Sequence, residues 1–589
     1  MREPVASRGG APLEAEDWFS SDEHLRWLAR HTLGESVWPV ARGALEEAGR
    51  VVPDRVEALA RQADAHPPRL PAGATCLDDV VLDPAFEELD RLVHEFGLVR
   101  MSYQKGWRGL SRRAPRALSA SLLSLFAQAD QALCGGPIVM SDALCRTLER
   151  HDPGLAAAFV PALAAGDATH LSGTLLAPGG AVDHDAGAAA VRAVPAEDGA
   201  WRLFSGQARS PNALADLSLV PAWPEGAPPG VRGLGLFVLP RRLQGGDPNH
   251  YGISHLHEGL GGRLVPAGNL RLDGAIAWPV GRVDRGFRQL MDLATLTRTL
   301  LTAVAAGSLR RSAGAALEHA RQQAAFGRPL DLHPLLRNAV AELVVDATMG
   351  VTAALEVASL LDRADHGRAA ADGLLRLVTP LFKLYTAERA RASAVAGLEI
   401  LGLGGAGLEW AESRVARDTL DGGWDGASSL IALDVLRAAD QGAAPALFAE
   451  LEDRLRALEG VAAPLVPGLL GELGRQQDEL EELALLDDEV HQLRASAVAR
   501  RLALLTLSCH LAEQAQAFAD HSGSGRLAWL TARFAARLGG ERAVAAVAGD
   551  PGWLPHATAL LEGGTVPLEV GSQALGAAGA ALAGLAEAP

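Results

Sequence analysis

Few side chains in this sequence stand where they could do chemistry. Asp425 lies in GGWDGASSLIALDVLR (Gly422 to Arg437) and precedes a long apolar run. An aspartate at such a point can cap a helix. In an apolar pocket, where burial raises its pKa, a carboxylate can instead take a proton from carbon. Gly402, Gly404 and Gly407, in EILGLGGAG, spell GxGxxG. A dinucleotide fingerprint must follow a strand and open a helix, and a long helical pattern precedes these glycines, so that reading is rejected. In ISHLHEGL, His255 and His257 share a strand face and Glu258 points away. No further ligand is suggested, so no metal site is expected. The acidic run ELEELALLDDE (Glu479 to Glu489) reads as one solvated helix face. HARQQAAFGRPL (His319 to Leu330) by itself reads as a helix end, with Gly327 as C-cap and Pro329 as stop.

The elements that would position these groups are helical at both ends and extended between. The chain has 589 residues, enough for three or four structural units, and its 21% charged content is that of a globular protein. Residues 1–165 carry helical spacing, as in Pro84–Phe96 and Pro115–Cys134. Residues 166–285 hold short runs bounded by Gly, Pro and Asp: HLSGTLLA, WRLFSG, DLSLVPAW, GLGLFVLP, ISHLHEGL and NLRLDGAIAWPV. They read as six or more strands of an antiparallel barrel or sandwich. Residues 286–440 contain three long helical stretches, Leu290–Ala325, Leu335–Ala364 and Leu374–Leu401, suited to a bundle. Pro380 predicts a kink or a first turn in the third. Residues 441–589 form a further helical unit with 10 Arg, no Lys and 19 Asp plus Glu.

The whole chain carries a net charge of −17, which disfavours binding to phosphate backbones. Its four cysteines form no CxxC pair and no apolar leader is evident, so reduced thiols in the cytoplasm are expected. The Ala/Gly-rich tail Ala574 to Ala588, taken as the most apolar span, is too short to cross a bilayer.

Five motifs together resemble the acyl-CoA dehydrogenase superfamily, and most of all its AidB-like, adaptive-response subgroup. The stretch ending FGRPL resembles R-x-x-F-G-x-P-L, with Gln323 in place of the arginine and Arg321 nearby. WDG followed by LDVLR resembles the segment carrying the catalytic carboxylate, with Asp425 where Glu is usual. LAPGGAVD (Leu176 to Asp183) stands where the family has T-E-P-G-x-G-S-D. SGQARSPNALAD, followed by GLGLFVLPR, resembles the flavin-facing strands, and EILGLGGAG the family's E-x-L-G-G-x-G-Y.

The resemblance implies a fold that is mainly α with a small β domain: a helical N-terminal domain, a middle antiparallel β domain and a long four-helix bundle, plus an extra C-terminal helical domain. It implies FAD as cofactor, an acyl-CoA or other acyl thioester as substrate, and a homo-oligomer, tetramer or dimer, whose subunits share cofactor sites. Asp425 would be the base and Arg298 would lie near the reacting centre, although Arg298 could also be a surface helix residue. Leu176, Ala177, Val182, Ser210, Gly426 and Ser429 would line the flavin. Gln323, Phe326, Gly402, Gly404 and Gly405 would hold the distal end of the cofactor. The subgroup's DNA role is not carried over, because the corresponding region is acidic. Two alternatives remain: a nitroalkane-oxidase-like flavoenzyme, which the aspartate favours, and a non-catalytic scaffold that has lost FAD, which the departures at Leu176, Ala177, Val182 and Gln323 favour.

Overall fold

The computed structural model describes residues 17–178, 191–402, 407, 411–420 and 426–584. Helices fill the chain up to Leu163, strands occupy Gly173 to Pro279, and helices return from Gly286 onward. Local signals set many of the helix ends. Asp83 accepts a hydrogen bond from the Ala85 N–H at 2.8 Å, Pro84 opens the helix Pro84–Phe96, and left-handed Gly97 closes it.

The strands are β1 (Gly173–Leu175), β2 (Ala177–Pro178), β3 (Arg192–Pro195), β4 (Trp201–Ser210), β5 (Leu217–Pro224), β6 (Gly235–Pro240), β7 (Tyr251–Leu256) and β8 (Gly268–Pro279). β4, β3, β5, β6 and β8 pair in sequence, and β8 pairs back to β4, so the sheet closes into a barrel. The sheet is mixed, not wholly antiparallel as expected: β1 and β3 each run parallel to β5. β3 reverses into β4 and β4 reverses into β5, which restores the chain's original direction at β5. Leu203, Val220, Phe237 and Leu270 fill the interior.

Three long helices form the body of the bundle, Gly286–Gln322, Pro334–Asp365 and Ala369–Leu401, and the shorter Ser428–Ala438 packs against the third. Small residues let them approach closely. A Cβ on Gly307 would lie 2.5 Å from the Ser124 carbonyl oxygen of helix Arg116–Ala129, and one on Gly350 would lie 2.7 Å from Leu309 Cδ1. Pro380 is interior to the third helix, which starts earlier than its apolar pattern suggests. There it leaves the Arg376 carbonyl without its helical donor. Pro334–Asp365 is long and apolar enough to cross a membrane, more so than the C-terminal tail, but 89% of its apolar window is buried in the protein.

The C-terminal helices dock on the bundle through charge. The buried Arg533 guanidinium donates to Asn338 and Glu342 at 2.6 and 2.7 Å, and Arg537 donates to Asp346 and Glu342. His24 Nε2, Thr352 Oγ1 and Gln514 Oε1 form a buried relay at 3.2 and 2.8 Å that ties the N-terminal helix, the bundle and the C-terminal unit together. The acidic run Glu479 to Glu489 is not one helix face. Helix Val466–Leu483 ends within it and Asp488–Ser522 begins, because the chain reverses at 484–487 and leaves Leu485 at 87% exposure. The four cysteines are free thiols, three of them buried.

Candidate active site

Asp425 lies outside the described residues, as do Val182, Gly404 and Gly405. Gly426 is buried at φ +106°, a backbone state that favours glycine, and it leads into helix Ser428–Ala438. Ser429, in the first turn of that helix, is exposed.

Six residues into the same helix stands Asp434, which holds two arginines from different bundle helices. Arg298 Nη1 donates to its Oδ2 at 2.6 Å. Arg376 donates to both its oxygens, at 2.6 and 3.0 Å. Burial alone would raise the Asp434 carboxyl, but the hydrogen bonds and charges of Arg376 and Arg298 outweigh it and hold it below the ordinary aspartate range. Arg298 is therefore no surface residue: it is 9% exposed. It lines a cavity of about 260 Å³ with Arg376, Met291, Thr295, Thr379 and Pro380. Thr379 is 1% exposed, and its hydroxyl has no hydrogen-bond partner among the described residues. The sequence reading matched Asp434 only as part of a motif. Its signal was a carboxylate within an apolar helical run, which must be paired if it is buried.

In the barrel, register brings two of the predicted stretches side by side. Ala177 faces Arg209, and Pro178 faces Ala208, across the β2–β4 pairing. Ser210 ends β4 with no exposure, and its Oγ has no hydrogen-bond partner among the described residues. Leu176 points into the barrel core and its N–H donates to Leu219 O, so its side chain serves packing.

The remaining predicted groups sit at the opposite end of the bundle. Gln323 is 25 residues beyond Arg298 on or beside one helix, which is roughly 37 Å at 1.5 Å per residue. Gly402, at φ +64°, closes the third helix at that same end. Gly327 does not cap the first helix, which ends at Gln322. It forms instead, with Phe326, the tip of a hairpin between Ala324–Ala325 and Arg328–Pro329. Phe326 has φ +52° and is 98% exposed. A two-residue turn with both φ values positive normally takes Asn, Asp or Gly, so a phenylalanine there carries strain of order 1 kcal/mol. Arg321, near the position where the motif expects an arginine, holds Glu562 of the C-terminal unit at 2.7 Å.

One group escaped sequence reasoning altogether. Asp90, His94 and His170 come together between helix Pro84–Phe96 and the start of the barrel. His170 Nε2 meets Asp90 Oδ2 at 2.8 Å, and the two imidazoles stack with centroids 3.7 Å apart. Rings stacked face to face cannot aim their lone pairs at one ion, so the group pins the two units together rather than chelating.

The residues 284–438 match the acyl-CoA dehydrogenase C-terminal domain, and residues 10–168 match the N-terminal domain of the adaptive response protein AidB. The chain belongs to the acyl-CoA dehydrogenase superfamily. It is 27% identical over 437 residues to acyl-CoA dehydrogenase family member 11 of Caenorhabditis elegans, covering 71% of this chain and 70% of that protein. It is 30% identical to the putative acyl-CoA dehydrogenase AidB of Escherichia coli over 42% of this chain and 44% of that protein. The acyl-CoA dehydrogenase fold is shared with the crystal structure of Caenorhabditis elegans ACDH-11 in complex with C11-CoA. The TM-score is 0.77 at 23% identity, covering 87% of this chain and 91% of that one.

Proposed function

We propose that this acyl-CoA dehydrogenase homologue is an FAD-dependent oxidoreductase that desaturates an acyl thioester, with Asp425 as the base. The observation that carries the reading is the buried Arg298–Asp434–Arg376 cluster on a cavity wall, held by the helix that follows Gly426. The cofactor fits on a second observation: the Ser210 hydroxyl is buried and lacks a partner, as a group reserved for a ligand would be. Ser210 and the backbone of Ala177, which pairs with the neighbouring Arg209, would hold the flavin, and Gly402 with Gln323 and Phe326 its distal end. When bound, FAD supplies the acceptor for the hydride from the β-carbon.

Asp425 takes the α-proton of the acyl group, and Arg298 supplies fixed positive charge in which the developing anion is stabilised. Asp434 keeps Arg298 in place. The roughly 37 Å between Arg298 and Gln323 means one chain cannot bring both to one cofactor. The exposed, strained Phe326 therefore serves a second copy, and the working unit is a homo-oligomer.

The purified protein should carry a visible flavin band that bleaches on anaerobic addition of an acyl thioester, and Asp425→Asn should abolish the bleaching while keeping the band. Full bleaching by the variant would remove Asp425 from the mechanism. A second reading, a scaffold without cofactor, is favoured by the engagement of Arg321 with Glu562. A colourless protein that takes up no added FAD would establish it.

A further inference from the structure

A cavity of about 500 Å³ lies where three parts of the chain meet, and it shares no residue with the cavity beside Arg298. Residues 18–26 form one wall, residues 310–321 of the first bundle helix another, and Arg526 with residues 561–563 of the C-terminal unit a third. Gln128 of helix Arg116–Ala129 reaches in among them. None of the residues proposed above to hold flavin or substrate lines it.

The lining carries five arginines and five carboxylates, so its charges cancel and neither a simple anion nor a simple cation is favoured. Three of the arginines are closely paired: Arg310 with Asp22 at 3.0 Å, and Arg311 with Glu412 and Arg321 with Glu562 at 2.7 Å each. The other charges are answered less well. Arg26 is exposed and forms no ion pair among the described residues. Glu23 has Arg526 at 3.4 Å, and Glu318 has Arg321 at 3.6 Å and a hydrogen bond from Gln322. Gln128 is 5% exposed, and its side-chain amide makes no hydrogen bond among the described residues. A buried amide left so costs free energy unless something in the cavity answers it.

These groups define a ligand. An amide that both donates and accepts is the complement of a peptide group. An unpaired guanidinium takes a carboxylate, and loosely held carboxylates take an ammonium. Trp18, Leu317 and Leu561 add apolar surface, and the volume lies in the few-hundred to roughly 1,000 Å³ range of small-ligand sites. We propose that this cavity binds a short zwitterionic peptide, with its peptide group on Gln128, its carboxylate on Arg26 and its ammonium on Glu23 or Glu318. The site rests on its own geometry and charge, not on the redox reading.

Calorimetric titration of the full-length protein with the dipeptide alanylleucine tests this, beside its N-acetyl form, an anion, and its C-terminal amide, a cation. Alanylleucine should bind and raise the melting temperature. The N-acetyl form should bind about tenfold or more weakly and the amide at least severalfold more weakly, since each loses one charged contact. Gln128→Leu should weaken alanylleucine about tenfold, and Arg26→Ala, which removes an exposed side chain and leaves the fold intact, severalfold. Melting curves without ligand check that Gln128→Leu is folded. Neither heat nor a raised melting temperature with alanylleucine overturns the site. So does equal binding by either analogue, or binding unchanged in Arg26→Ala or in folded Gln128→Leu. Flavin content and thioester turnover should be the same in Arg26→Ala as in wild type, so failure of the redox reading and failure of this site are told apart.

Discussion

Replacing Asp434 by alanine removes the one carboxylate that Arg298 and Arg376 share. Taking away one partner of a buried ion pair costs up to about 3–5 kcal/mol where the charge left behind is uncompensated, and Arg298 keeps a further interaction. The two arginines do not contribute alike. The Arg376 side chain is 37% exposed, so water recovers most of its stranded charge, whereas that of Arg298 is 11% exposed. The loss should therefore fall at the low end, about 3 kcal/mol. Asp434→Asn keeps one acceptor oxygen but loses the charge and turns an NH2 donor toward an arginine, so it should cost about 1.5–3 kcal/mol. Urea unfolding followed by circular dichroism would show both as lowered midpoints at unchanged slope. The pH dependence is a second check. The Asp434 carboxyl is held low, so its stabilisation is complete above the ordinary aspartate value of about 3.9 and is lost as pH falls through the depressed folded value. The gap between wild type and Asp434→Ala should stay flat from about pH 5 to 8 and close only in acid. A gap below about 0.5 kcal/mol at neutral pH would refute the cluster as the support of Arg298.

Three further tests follow from other parts of the molecule. Gly307→Val should destabilise by at least about 1–3 kcal/mol, read as a lower melting temperature, because the new Cβ would meet the Ser124 carbonyl at 2.5 Å and Ala127 Cβ at 2.8 Å. His170 is raised above the ordinary histidine range: burial opposes this, but its hydrogen bond to Asp90 and that carboxylate's charge outweigh it. Its stabilisation is full below about pH 6.5 and lost as pH rises through the folded value, so Asp90→Asn should cost stability at pH 5.5 and much less at pH 8.5. Burial and the nearby Asp130 carboxylate push Asp418 up to about 8, against the pull of Arg414. A raised carboxyl loses stability as pH climbs from the unfolded to the folded value, so Asp418→Asn, which can still accept from the Gly262 N–H, should be more stable than wild type at pH 8.5.

What the sequence showed and what it hid divide along physical lines. The bundle was legible because long, largely apolar stretches without breakers run through helices such as Pro334–Asp365, which is buried along most of its length, and the strands because Gly, Pro and Asp bound them. Two-residue β2 and four-residue β3 carry too few positions for any period to appear, and the mixed sheet follows from pairings no local pattern encodes. At the site, motif positions located Arg298 and Ser210 along the chain. That Arg298 is buried and clamped by a carboxylate 136 residues away is a tertiary fact. So is the stacking of His94 on His170, whose residues share no motif. The hairpin at Phe326 is the informative failure: FGRP reads locally as a helix stop, with glycine absorbing the positive φ. The structure places positive φ on phenylalanine as well and turns its ring to solvent. Local propensity opposes that arrangement, and among the described residues its one ring contact is an edge approach to His333 at 6.1 Å. A second copy that covers the ring would offset both the strain and the exposure. Phe326→Asn should thus leave the isolated chain as stable or more so, and should weaken assembly. A sedimentation profile unchanged by that substitution, in a protein that does assemble, would place the interface elsewhere.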